Sequence, residues 1–141
     1  MSDLDRAIAL AVDAHAGQLD KGGQPYILHP LRVMLAQHVE ATRIAAVLHD
    51  VIEDSEKVGH GDILAMFGSD IHEAVFALTR QEGEDYFDYV RRAGSNPIAR
   101  EVKIADLCDN LDKNRLVTDD ANGPSRRRKY RQALAILEGR A

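Results

Sequence analysis

The eleven residues "IAAVLHDVIED", Ile44 to Asp54, put one histidine and three carboxylates on a short stretch with no lysine or arginine among them. At about 100° per residue on a helix, His49, Asp50, Glu53 and Asp54 gather on one face, and Ile44, Val47, Leu48, Val51 and Ile52 on the other. Ala45 and Ala46 fall on the polar side and leave room for something to approach. Such a face is either solvated, as most charged faces are, or it binds a cation. Three acids near a helix C-terminus oppose the helix dipole, and a divalent metal would relieve that repulsion. A second cluster lies in "VKIADLCDN", where Asp106 and Asn110 are four apart and share a face. Ile104, Leu107, Cys108 and Leu111 form an apolar stripe beside them, which places Asp106 at the edge of the core. An acid there needs a partner, either a salt bridge or cap, or a metal. Imidazole and carboxylate donors together suit manganese, iron or zinc.

The surrounding elements read as helices. Leu4, Ala7, Ile8, Ala11 and Val12 repeat at three and four residues, with Ser2 or Asp3 as a cap. "GQLDKGGQPYILHP", Gly17 to Pro30, breaks the pattern, and Pro30 suits the first turn of a helix through "LRVMLAQHV". A helix from about Ala41 to Asp54 follows, then "GDILAMFG", then "SDIHEAVFALTR" opened by a Ser69 cap. "DYFDYVRRAG", a long helix from Pro97, the loop "DDANGP" and a final helix over "SRRRKYRQALAILEG" complete the chain. The expectation is an all-α bundle of about seven or eight helices in a single domain over residues 1–141.

Composition bounds the function. The chain has 141 residues, 45% hydrophobic and 29% charged, with a net charge of −5. That balance argues against general nucleic-acid binding but admits a small anion in a local positive patch. One cysteine, Cys108, permits no internal disulfide and fits a reducing compartment. Neither a signal peptide nor an apolar run of membrane-spanning length is visible, so the expectation is a cytoplasmic protein without a membrane partner. Cys108 reads as core, Tyr86 and Tyr89 as packing or, less simply, a pocket lid. His15, His38, His60 and His72 read as surface or core-edge residues. Oligomeric state is not legible.

In order, "HP" in a loop, "LHDVIED" and "VKIADLCDN" resemble the HD-domain metallohydrolases of the Rel/SpoT hydrolase type, in particular the stand-alone small alarmone hydrolases. "AHAGQLDKGGQPYILHPLRV" and "FGSDIHEAVFALTR" extend the likeness over most of the chain. The resemblance implies an HD fold with one divalent ion, normally manganese, held by His29, His49, Asp50 and Asp106. It implies Glu53 and Asp54 as the acidic pair that orients or deprotonates the attacking water. The implied reaction removes the 3′-diphosphate of guanosine tetra- or pentaphosphate, the stringent-response nucleotides, as pyrophosphate. Lys21 and Asn110 match nucleotide-pocket positions, and Arg126 and Tyr130 match an Arg-x-x-x-Tyr spacing near the C-terminal helix. The alternative for "RRRKYR" is a solvated basic face. A synthetase domain, which bifunctional relatives carry after the hydrolase, is not expected here, so the chain should only degrade the nucleotide. Two positions depart from the pattern: Asp20 stands where an arginine usually neighbours the loop lysine, and Asp112 replaces a basic residue after Asn110. They motivate a second reading, an HD phosphohydrolase acting on a dinucleotide phosphate or nucleoside phosphate. A third is a non-catalytic nucleotide-binding regulatory domain.

Overall fold

The computed structural model describes residues 1–112 and 122–140. Within them the chain forms nine helical segments and no strand beyond one isolated bridge, Leu19 to Pro25. The all-α expectation is met. Of the loop read at "DDANGP", residues 119–121 lie outside the described residues, as do residues 113–116, and its last two residues, Gly123 and Pro124, open the final helix.

Three helices build the floor of the site. Helix α1 (Asp3–Ala14) starts where the Ser2 hydroxyl accepts from the Asp5 amide while the Asp5 carboxylate accepts from the Ser2 amide. This reciprocal cap satisfies two otherwise orphaned donors. Helix α2 (Leu28–Leu35) carries His29 and Pro30 in its first turn, where an absent N–H costs nothing. Helix α3 (Glu40–Leu48) is central: Thr42, Ile44, Ala45, Ala46, Val47 and Leu48 are all buried. Ala45 and Ala46 are therefore not an open approach to the polar face. They are fully buried, and their small size lets α1 and α2 pack closely on α3.

The helix expected to run to Asp54 is broken. Helix α3 stops at Leu48, Asp50 takes φ −108° and ψ 1°, and a single turn, α4 (Val51–Asp54), follows. Asp50 sits in the sparsely populated region between helix and strand, common for active-site residues. The wheel drawn for an unbroken helix thus fails after His49, and His49 itself is buried.

Helices α5 (His60–Phe67) and α6 (Ser69–Ala77) form a hairpin joined at Gly68, whose φ of +91° suits glycine. Gly68 occupies the cap position of α6 and no side chain caps that helix, so Ser69 is its first residue rather than its cap. Helix α7 (Tyr86–Gly94) is capped by Asp85, which accepts from the amides of Phe87 and Asp88. Helix α8 (Pro97–Asn110) starts at Asn96, which accepts from the Ala99 amide at 2.9 Å, and α9 (Gly123–Leu137) closes the chain. The main core spans α1 to α6 and the first half of α8, and a smaller one joins Tyr89 and Val90 to Leu107, Ala133 and Leu137. Helix α8 bridges both. Its buried stripe is Val102, Lys103, Asp106 and Leu107, leaving Cys108 exposed instead of in the core. Among the described residues no helix is long and apolar enough to cross a membrane.

Candidate metal centre

Helices α2, α3 and α8 bring four of the sequence-expected residues together. One ligand atom each from His29, His49 and Asp50 lies within 4.8 Å of the others. The Asp106 Oδ1 atom is 2.8 Å from His29 Nε2 and 3.5 Å from His49 Nε2. Both histidines and Asp106 are buried, at 4%, 3% and 5% exposure.

The rings are aimed by their other nitrogens. His49 Nδ1 donates to the Ala46 carbonyl at 2.6 Å. That bond assigns one proton to Nδ1 and turns Nε2 toward the carboxylates. The Nε2 atom is buried without a hydrogen-bond partner among the described residues, although Asp50 Oδ2 is 3.1 Å away. Packed against two carboxylates, Nε2 must carry either a second proton or a metal cation. This donor set fits a divalent metal: two imidazole nitrogens and carboxylate oxygens, with positions left for water and substrate.

Further side chains hold the ligand residues. Asp109 Oδ2 accepts from His29 Nδ1 at 2.6 Å, and Asp109 Oδ1 accepts from Arg32 Nε at 2.8 Å. The Tyr26 hydroxyl donates to Asp50 Oδ2. Lys103 Nζ donates to Asp106 Oδ2 at 2.9 Å and lies 5.0 Å from the centre of the Tyr89 ring. Asn110 Nδ2 donates to Asp106 Oδ1 at 3.2 Å. Of these, sequence reasoning singled out only Asn110. Asp109 and Lys103 lie three residues either side of Asp106, the spacing that shares a helix face. Tyr26 carried no such signal.

The electrostatics describe a centre that exchanges protons for metal. Burial opposes charging His29, but its bonds to Asp106 and Asp109 prevail and lift its pKa. Burial likewise opposes charging His49, and the carboxylates of Asp50 and Asp106 lift it well above the ordinary value. Burial would raise Asp50, yet His49 and the Tyr26 hydroxyl hold it at about 2. Against the same penalty, Lys103 and the two histidines keep Asp106 well below the carboxylate range. Without metal, protons on the imidazoles balance the acids, so metal binding must displace them and weakens as pH falls.

Glu53 and Asp54 flank this cluster. Glu53 Oε1 accepts from the Arg80 amide at 3.0 Å, and Asp54 Oδ2 accepts from Gln18 Nε2 at 3.2 Å. Both have raised pKa values, chiefly through burial and then through repulsion from Asp50. His15 is not a surface residue. It is buried, bonds Gln18 through Nδ1 at 2.9 Å, and stands 3.7 Å from Asp54. His60 and His72 lie apart, packed edge to face against each other and beside Phe76.

Beyond the cluster lies an open cavity of about 820 Å³, lined by Glu53 and residues 80–85, within the size range of small-molecule sites. Lys21 is exposed at the tip of its loop. Beside it, Asp20 Oδ1 accepts from the amides of Gly22 and Gln24, each at 2.9 Å. The carboxylate expected to repel a ligand is thus engaged in folding its own loop. Arg126 and Tyr130 are half-buried on α9. The Tyr130 hydroxyl pKa is raised by burial and then by Asp106, which places it within electrostatic reach of the ligand cluster.

Residues 7–107 match the model of a family described as the HD domain. The chain belongs to the HD-domain family. The HD fold and the His/His/Asp cluster together mark a divalent metal site. Among its relatives is a guanosine-3′,5′-bis(diphosphate) 3′-pyrophosphohydrolase of Aquifex aeolicus, 30% identical over an alignment of 121 residues that covers 77% of this chain and 17% of that protein. Another is the bifunctional (p)ppGpp synthase/hydrolase SpoT of Escherichia coli, 40% identical over 81 residues, 55% of this chain and 11% of that protein. The chain therefore spans less than a fifth of either relative. A solved structure of a metazoan ortholog of SpoT that hydrolyses ppGpp superposes with a TM-score of 0.76. It covers 97% of this chain and 85% of its own at 23% identity, a likeness of fold.

Proposed function

We propose that this HD domain is a metal-dependent hydrolase that removes the 3′-diphosphate of guanosine tetra- or pentaphosphate as pyrophosphate, leaving GDP or GTP. The observation that carries the reading is the buried, unpartnered His49 Nε2 beside Asp50 and Asp106, in an HD domain whose relatives bear that activity in their names. In this reading His29, His49, Asp50 and Asp106 would hold one divalent ion, manganese in the first instance. When bound, such an ion lowers the pKa of water and offsets charge on phosphorus oxygens. The raised pKa values of Glu53 and Asp54 make them better proton acceptors than ordinary carboxylates. Glu53 is fixed by the Arg80 amide and Asp54 by Gln18, so each is oriented before substrate arrives. Asn110, Lys21, Arg126 and Tyr130 are assigned to the nucleotide. With no membrane-crossing helix among the described residues, we assign the protein to the cytoplasm, where such nucleotides reside.

Manganese-loaded protein incubated with guanosine tetraphosphate is expected to release pyrophosphate and GDP. Chelation should stop the reaction, added manganese should restore it, and Asp50→Ala should abolish it. No turnover in a metal-replete sample refutes the assignment. Turnover of a dinucleotide phosphate or nucleoside phosphate instead would move the substrate and leave the metal chemistry in place.

A further inference from the structure

Three cationic or aromatic side chains beside the centre have no part in the ligand set or in the acidic pair. Tyr86, first residue of α7, is half-buried between them. The Arg80 guanidinium carbon lies 5.6 Å from the centre of its ring. Lys129 Nζ, from α9, lies 4.5 Å from the same centre and 5.6 Å from that of Tyr130. Two like charges are thus braced on one ring. The Tyr86 hydroxyl is itself buried, with no hydrogen-bond partner among the described residues.

This is a concentration of positive charge in a chain whose net charge is −5. Burial pushes the Lys129 pKa down first, and the charges acting on it next are all cations: Arg80, Lys103, Arg126 and Lys21. The nearby acid Glu84 has its carboxylate oxygens 2.9 and 3.0 Å from Arg92 nitrogens, while its backbone carbonyl accepts from Arg80 Nε at 3.0 Å. Lys103 is paired with Asp106, but neither Arg80 nor Lys129 makes an ion pair with an acid among the described residues, and a bound polyanion would offset the repulsion between them. The cluster adjoins the centre through Tyr89: its ring centre lies 6.1 Å from that of Tyr86 and 5.0 Å from Lys103 Nζ, which bonds Asp106.

A guanosine bis(diphosphate) has two anionic ends, and one metal centre can take only the end that reacts. We propose that Arg80 and Lys129, braced on Tyr86, form a second anion subsite that holds the 5′-diphosphate, the end of the nucleotide that is not hydrolysed. Identification of that end rests on the hydrolase reading above; the subsite itself requires only a nucleoside diphosphate. It assigns recognition of the second phosphate group to Arg80, which lines the cavity, and to Lys129. Arg80 also donates its backbone amide to Glu53, so the subsite and the acidic pair share a segment of chain.

The test is calorimetric titration of the metal-loaded protein with GDP, which lacks the reacting group, and with guanosine, which lacks phosphate. Arg80→Gln leaves the Glu53-bound amide in place, and Lys129→Met keeps the stem that packs on Tyr86. The expected result is at least tenfold weaker GDP binding in each variant, with guanosine binding unchanged. In turnover, KM should rise while kcat is retained. The proposal is overturned if either folded variant binds GDP within twofold of wild type. It is also overturned if guanosine binding falls as much as GDP binding, or if wild type binds GDP no more tightly than guanosine. The variants sit on separate elements, so misfolding of one leaves the other as the test. If the tetraphosphate is not hydrolysed yet GDP binding falls in both variants, the hydrolase reading fails and the subsite stands. If it is hydrolysed with GDP binding unchanged, the subsite fails alone.

Discussion

Asp109→Asn changes one atom type and should disable the metal centre from outside its ligand set. The Asp109 carboxylate accepts two bonds, from His29 Nδ1 at 2.6 Å and from Arg32 Nε at 2.8 Å. An amide of the same shape can accept only one of them. If its oxygen faces Arg32, its NH2 group faces His29 and favours the tautomer with the proton on Nε2, which removes the lone pair needed for metal. If its oxygen faces His29, its NH2 group meets the Arg32 N–H, donor against donor. Either way one charge-assisted bond is lost, at about 1.5–3 kcal/mol, which converts to roughly 10- to 150-fold in affinity. Substitutions behind a metal-ligating histidine cost about 10- to 100-fold in metal affinity, in line with that range. The assay is manganese affinity by competition with a chelating dye, alongside nitrogen NMR of the His29 tautomer. A variant that melts lower than wild type, yet binds manganese within twofold and keeps the Nδ1–H tautomer, would refute the reasoning and leave Asp109 a structural residue.

Lys103→Met strips the buried ammonium from Asp106, whose carboxylate stays buried. Breaking a buried pair from one side costs about 3–5 kcal/mol, so urea unfolding of metal-free protein should show a loss of that order, partly recovered on adding manganese. Tyr26→Phe removes the hydroxyl that holds Asp50 and should lower manganese affinity several-fold, about 1 kcal/mol for one bond, with little change in the urea midpoint of metal-free protein. Glu53 has a folded pKa above its ordinary value, so the native state binds the extra proton, and stability falls as pH rises from the ordinary carboxylate value through the raised one. Glu53→Gln should therefore stabilise metal-free protein at neutral pH and flatten its melting profile over that window, while abolishing turnover; an unchanged profile would discount the raised pKa.

The helices were legible because apolar residues three and four apart bury one side of each element, as Ala7 and Ala11 do on α1. The break at Asp50 was not, since "LHDVIED" satisfies helical periodicity throughout. It is seen only beside distant groups: Tyr26, 24 residues earlier, bonds Asp50, and Asp106 faces His49 from α8. The expected ligand quartet came from a resemblance to a family, because nothing within "YILHP" announces that His29 is buried. Asp109 escaped notice because its meaning lies 80 residues away at His29. Cys108, read as core, is exposed on α8, while Lys103 is buried there, since Asp106 and the Tyr89 ring supply what a buried charge needs.

The loop from Gly17 to Pro30 folds on its own terms. The Tyr26 amide bonds the Gln18 carbonyl at 2.8 Å, Leu19 bridges to Pro25, and Asp20 collects the amides of Gly22 and Gln24. Gly23 takes the positive φ at the turn. The base of this hairpin fixes where α2 begins and hence where His29 points, while Lys21 stands at the tip and touches neither task. The buried histidine and the exposed lysine therefore occupy separate ends of one fourteen-residue segment. A substitution at the exposed tip therefore leaves the base of the hairpin, and with it the direction of His29, unchanged: the segment can vary at one end while the other stays fixed.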